Sequence, residues 1–199
     1  MDLAPRVDRV NERYRACAPG LVEQTAILRD VEIPEVLARE RDHATVSFTR
    51  YEWLIVLTQD CDLQFDRLAR ARQSLTADGP PVKRDKLLRG TLVCPAFKQD
   101  HILAGTYVDE GTKWGGDERK ILLRNQADRY HVLPAEGPLV PEPIILDFKL
   151  IVTVHPAYLG QWVERNPVSL IAVLNAPFRD RLTQRFVNYF GRIAEPEAE

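Results

Sequence analysis

The stretch Trp53-Leu54-Ile55-Val56-Leu57-Thr58-Gln59-Asp60-Cys61-Asp62 decides the fold. Five apolar residues run directly into a polar cluster that holds two carboxylates and a thiol. A short, unbroken apolar run with aromatic and β-branched members is the pattern of a strand buried on both faces. Polar side chains at its end reach the rim of the core, where binding sites are commonly built.

Working outward, Thr45-Val46-Ser47-Phe48 alternates polar and apolar and leads through Arg50 into that strand. On the other side Leu63, Phe65, Leu68 and Ala69 recur at core spacing, with Arg67, Arg70 and Arg72 between them, which predicts a helix over 62–73. Leu21 to Leu28, Thr91 to Cys94, Tyr130 to Leu133 and Val168 to Leu174 read as further strands, the second of them ended by Pro95. Ile33 to Arg41 reads as a charged connector, Asp78-Gly79-Pro80-Pro81 as a loop, and Tyr107 to Gly116 as turn-rich. Asp117 to Gln126 predicts a short helix and Ala157 to Trp162 a helical turn. Ile144 to Val154 is the longest β signal; within it Asp147 and Lys149 lie two apart and face one side. Asn175-Ala176-Pro177 opens a final helix with Phe178, Leu182, Phe186 and Tyr189 on one face, and Gly191 stops it. Near the start, Val7, Val10 and Tyr14 sit at helical spacing before Pro19-Gly20.

Long strand–helix–strand crossovers are scarce in this pattern. It predicts an α+β fold: a bent antiparallel sheet or small SH3-like barrel, with the C-terminal helix packed against it. The chain reads as a single domain over 1–199, with a helical N-terminal extension at 1–18 and an acidic tail at 194–199.

Composition narrows the function classes. With 199 residues, 45% hydrophobic and 28% charged, a folded domain with a real core is expected. A net charge of −2 argues against nucleic-acid binding by bulk charge. No apolar run reaches the ~20 residues that span a bilayer, and the polar N-terminus lacks the apolar segment of a signal peptide, so a cytoplasmic protein without membrane attachment is expected. Cys17, Cys61 and Cys94 are odd in number and widely spaced, against a disulfide framework. The absence of CxxC, HExxH, Walker and GxGxxG patterns leads us to expect no metal site and no cofactor.

The candidate chemistry centres on Asp60-Cys61-Asp62. A nucleophilic cysteine wants a neighbouring cation or a helix N-terminus, and flanking carboxylates act the other way. The commoner reading is a structural corner, with Asp60 or Asp62 capping the following helix and Cys61 packed as a small hydrophobe. The catalytic reading takes Cys61 as nucleophile, Asp60 beside it, and His131 as base. The binding candidates are Asp62, Asp147, Arg181 and Arg185. Asp147 would point into a groove beside the central strand's end. Arg181 and Arg185, four apart, would share a helix face that could meet phosphates.

The strand Glu52 to Leu57 running into Thr58-Gln59-Asp60 resembles the central strand of the PemK/MazF-like toxins, which are small SH3-like barrels. The Ile144 to Val154 strand stands where that family carries a paired barrel strand. Where the family has an Arg-Pro pair, this chain has Tyr51-Glu52, with Arg50 out of register, so the cation that stabilises the family's phosphorane is missing there. Gln59-Asp60-Cys61-Asp62 together with Phe178 to Phe186 also resembles a pattern in uncharacterised bacterial proteins of defence or regulatory operons. The resemblance implies an accessory binding module of a defence or toxin–antitoxin system, with a protein partner first and nucleic acid second. The rival expectation is an enzyme: an endoribonuclease of the PemK/MazF kind or a Cys61-dependent hydrolase.

Overall fold

The computed structural model describes residues 12–39, 44–75, 84–107 and 114–191. Within them the chain is α+β, with one antiparallel sheet of eight strands and several helices. In chain order the elements are β1 (Tyr14–Ala16), β2 (Ala26–Arg39), β3 (Ala44–Val56), α1 (Asp60–Leu75), β4 (Thr91–Lys98), α2 (Gln99–Ala104), α3 (Gly116–Leu123), β5 (Tyr130–Leu133), β6 (Ile144–Asp147), β7 (Val152–Val154), α4 (Pro156–Arg165), β8 (Leu170–Leu174) and α5 (Phe178–Phe190). The strand order is β1-β8-β2-β3-β4-β6-β5, with β7 also paired to β4. The end strands β1 and β5 do not meet, so the sheet stays open where a barrel would close.

β3 lies in the middle, and its side chains alternate between two apolar layers as the five-residue run requires. Trp53, Ile55 and Leu57 join one layer, which α5 covers with Leu182, Phe178 and Phe186. Leu54 and Val56 join the other, covered by Leu159 and Val163 of α4, with Leu63 of α1 against its margin. Each fully buried side chain of this size contributes about 1.5–3 kcal/mol. A smaller third cluster holds Ile102, Leu122, Tyr130, Val132 and Ile145, where α2 and α3 meet β5 and β6.

Several local expectations change in the folded chain. The charged connector at 33–41 is largely strand: β2 runs to Arg39 and pairs with β3 as a long ribbon. Asp30 has a left-handed backbone, φ 56°, inside β2. Across it the residues facing the α4 layer change from Ala26 and Leu28 to Val31 and Ile33, a shift of parity that sequence alternation alone does not show. Pro95 does not end β4. The outer edge of β4 pairs with β7 at 91–93 and with β6 at 96–98, so Pro95 falls in the gap, where that edge needs no ladder bond.

The expected helix at 1–18 is not formed in its described part. Tyr14–Ala16 is a strand on the edge of β8. Tyr14 is buried in the main core, and its hydroxyl donates to Pro134 O at 2.8 Å, so the sheet edge supplies both packing and hydrogen bonds. Residues 1–11, the 78–81 loop and the 194–199 tail lie outside the described residues.

The long β signal at 144–154 breaks at Phe148–Leu150 into a 3-10 turn. Asp147 causes the break. Its Oδ1 accepts the Lys149 N–H at 3.0 Å and so caps the turn. Asp147 and Lys149 therefore do not share a strand face. The same carboxylate is fully buried and takes two hydrogen bonds from Arg129, Nε to Oδ1 at 2.7 Å and an Nη to Oδ2 at 2.6 Å. Tyr107 OH adds a longer contact to Oδ2 at 3.4 Å and lies 2.9 Å from Tyr130 OH. Burial raises the pKa of both phenols above the usual tyrosine value.

Asp147 is thus a structural anchor. Arg129→Ala should strand a buried carboxylate and destabilise the fold by about 3 kcal/mol, the low end for a buried pair because Arg129 is itself about one-third exposed. Urea unfolding measures this, and a loss too small to detect would reject the anchor role.

Candidate functional site

β3 delivers its polar end as the apolar run dictates. Thr58 Oγ1 accepts the Leu92 N–H at 2.7 Å, and Leu57 N donates to Leu92 O at 2.8 Å, so the strand exit is tied to β4. The chain then turns directly into α1. Leu63 N donates to Gln59 O at 3.1 Å, which places Asp60, Cys61 and Asp62 in the first turn of the helix. Carboxylates there sit favourably near the positive end of the helix dipole.

A cleft of about 420 Å³ opens between this turn and α5. Gln59, Asp60 and Cys61 form one wall, and Arg179, Asp180, Thr183, Gln184 and Val187 the other, with Gln24 at the base. Three distant segments are tied together there. Gln24 N donates to Asp60 Oδ1 at 2.6 Å, and Gln24 Nε2 donates to Thr183 Oγ1 at 3.1 Å. Thr183 Oγ1 in turn donates to Arg179 O at 3.0 Å. The backbone at Thr25 makes this possible. Thr25 is buried and left-handed, φ 63°, an uncommon state for a β-branched residue, and its N–H donates to Val56 O at 2.8 Å. Strain of this sort collects where geometry is held for a purpose.

One cation serves two carboxylates in the cleft. Arg179 lies 3.5 Å from Asp60 Oδ2 and 3.4 Å from Asp180 Oδ1, bridging the two walls. The remaining polar groups are chiefly the side-chain amides of Gln24, Gln59 and Gln184, each a donor and an acceptor.

The cysteine on the rim is exposed. Within hydrogen-bond range its thiol meets acceptors, Gln59 Oε1 at 3.6 Å and Asp62 Oδ1 at 3.9 Å. Asp62 is exposed and is not among the residues that line the cleft. The other cysteines differ. Burial pushes Cys17 up to about 12 and raises Cys94 well above the ordinary thiol value.

The remaining sequence candidates lie elsewhere. His131 is not in the cleft; it is buried on β5, opposite Leu146, in the layer beneath α5. Asp147 is the buried partner of Arg129. Arg185 caps a loop: its terminal nitrogens donate to the carbonyls of Asn125, Ala127 and Tyr130. Arg181, one turn earlier, is exposed. Among the described residues no group of three His, Cys, Asp or Glu side chains is arranged to hold a metal ion. No described helix is long and apolar enough to cross a membrane.

Sequence reasoning missed Gln24, Arg179 and Thr183. A lone glutamine or threonine carries no motif, and Arg179 differs from its neighbours Arg181 and Arg185 only in the helix face it occupies.

Burial, with the fields of Arg185 and Arg181, lowers the His131 pKa from 6.5 to about 3. The folded state holds the ring neutral, while the unfolded chain binds a proton at ordinary affinity. Between pH 6.5 and about 3 the unfolded state therefore holds more protons. The stability contributed by neutral His131 is present above pH 6.5 and is lost as pH falls through that window. His131→Gln should flatten the acid limb of urea-measured stability between roughly pH 7 and 4; an unchanged slope would rule out His131 as its source.

No protein-family model, no curated protein and no solved structure matches the chain, so the cleft and its surroundings carry what can be inferred about function.

Proposed function

We propose that this chain is a non-catalytic binding module that docks a protein partner, seating a short polar stretch of that partner in the cleft between α1 and α5. One observation carries the reading: the cleft is walled by mutually paired charges and by three side-chain amides. Amides match the alternating donors and acceptors of a peptide backbone. A volume of about 420 Å³ lies within the range that takes small ligands or a few residues. The bacterial defence or toxin–antitoxin setting, and a small-barrel ancestry for the sheet, rest on the sequence resemblance.

The enzymatic reading has less support. A nucleophilic thiolate is favoured by a neighbouring cation, and the groups within reach of the Cys61 thiol are a glutamine oxygen and a carboxylate, whose negative charge disfavours the thiolate. His131 lies under α5 and outside the cleft. A phosphate-binding arginine face is also reduced, because Arg185 is engaged with backbone carbonyls.

Short peptides selected from a random display library should bind the wild type and Cys61→Ala alike. Gln184→Arg, which crowds the cleft with a longer cationic side chain, should weaken them by roughly tenfold or more. RNA and simple ester substrates should stay intact in both proteins at low salt. Turnover that falls by orders of magnitude in Cys61→Ala would replace this reading with the enzyme. Binding to RNA without cleavage, weakening steeply with salt, would replace it with a nucleic-acid module.

A further inference from the structure

α1 presents its largest apolar side chains to solvent. The spacing of Leu63, Phe65, Leu68 and Ala69 predicts that all four pack inward. In the folded chain Asp66 and Ala69 are buried, whereas Phe65 is 48% and Leu68 46% exposed. The cause is the Asp66 carboxylate. Its Oδ1 accepts the Leu88 N–H at 2.8 Å and its Oδ2 the Arg70 Nε–H at 2.7 Å, and an Arg70 Nη donates to Leu88 O at 3.1 Å. This clasp ties the chain around Leu88 to α1 and fixes the rotation of the helix. With Asp66 inward, Phe65 and Leu68 stand about 100° and 200° away around the helix and face out.

The clasp also sets what stands beside them. Lys86 Nζ lies 4.7 Å over the Phe65 ring. Arg72, exposed, continues the stripe one turn beyond Leu68. Residues 67–89 carry seven Lys and Arg against two Asp, in a chain whose net charge is −2. At the other end Cys61 lies one turn before Phe65 on the same side of the helix and belongs to the cleft wall. There the sign reverses, because Asp60 and Asp180 share Arg179. The stripe is thus continuous with the cleft, apolar in its middle and cationic at its far end.

We infer that the docking surface continues from the cleft along this stripe, and that the partner segment is amphipathic and acidic. Two of its apolar side chains seat on Phe65 and Leu68, and an adjacent carboxylate meets Lys86. The inference rests on the peptide reading of the cleft and adds the partner's chemistry. Exposed apolar surface rimmed by charge marks interaction faces, and complementary charge sets register and direction. The acidic end of the segment lies away from the cleft, where Asp60 and Asp180 would repel it. A nucleic-acid strand fits less well. The same carboxylates repel phosphates, Leu68 offers no stacking surface, and Lys86 occupies one face of the Phe65 ring.

The test uses peptides selected on the full chain from a random display library, sequenced and then titrated by fluorescence anisotropy. The selected pool should be enriched in Asp or Glu beside paired apolar residues. Phe65→Ser and Lys86→Glu should each weaken the best peptide about tenfold. Both are surface substitutions, so the melting temperature should stay within about two degrees of wild type. Replacing the peptide's carboxylate by lysine should weaken binding to the wild type and restore binding to Lys86→Glu. A pool that binds wild type, Phe65→Ser and Lys86→Glu alike would end the site at the cleft, overturning this inference and leaving the cleft reading in place. Losses in Phe65→Ser and Lys86→Glu with none in Gln184→Arg would keep the stripe and remove the cleft. A library that yields no binder would overturn both. Self-association of the wild type that Phe65→Ser abolishes would assign the stripe to a second copy of the chain and overturn the acidic partner.

Discussion

Trp53, Ile55 and Leu57 look into one apolar layer while Leu54 and Val56 look into the other. A strand dry on both sides must be covered twice, and most of the architecture follows from that demand. α5 covers one face and α4 the other. The backbone of β3 must also find partners along both edges, and it finds them in β2 and β4. The end of such a strand is the first place where water is available. The switch from Leu57 to Thr58, Gln59 and Asp60 therefore marks the rim of the core and sets one wall of the cleft.

α5 both covers the core and walls the cleft. Its apolar stripe, Phe178, Leu182 and Phe186, closes the layer above β3. The residues on one side of that stripe, Arg179, Thr183 and Gln184, face α1 across the cleft. Those on the other side, Arg181 and Arg185, face β5. A single amphipathic helix thus presents two polar edges of different character. One carries Arg179 with Asp180 beside it, the Thr183 hydroxyl and the Gln184 amide; the other carries the two arginines. The hundred-degree step between residues makes this possible, since Arg179 and Thr183, four apart, share the cleft side while Arg181 between them falls on another face.

Asp147 shows how one buried carboxylate can reorganise a local pattern. By alternation alone, 144–154 is one strand. A buried aspartate needs hydrogen bonds, and those available to Asp147 are the Arg129 fork and the Lys149 N–H. Taking the last of these turns the chain, so that β6 and β7 pair with different stretches of β4. The same turn places Phe148 against Phe186 and Tyr189 of α5.

The amino-acid order alone determined those features whose cause is local. The double-faced strand at 53–57, the aromatic face of the last helix and the short strand at 130–133 are each written in a period of two or 3.6 residues, which the backbone geometry reads directly. The α+β class and an antiparallel sheet follow from how those segments alternate; that the sheet stays open where a small barrel was equally expected is set by the strand order. Asp60 and Cys61 were legible as residues at the rim of the core because they end an apolar run, and the structure places both in the cleft wall. Only the tertiary structure decided what they meet. Gln24 reaches Asp60 across 36 positions of the chain and Thr183 across 159, and His131 is placed beneath Arg181 and Arg185 rather than beside Cys61. Such meetings are set by strand order and by which helix covers which layer, and no local periodicity encodes them.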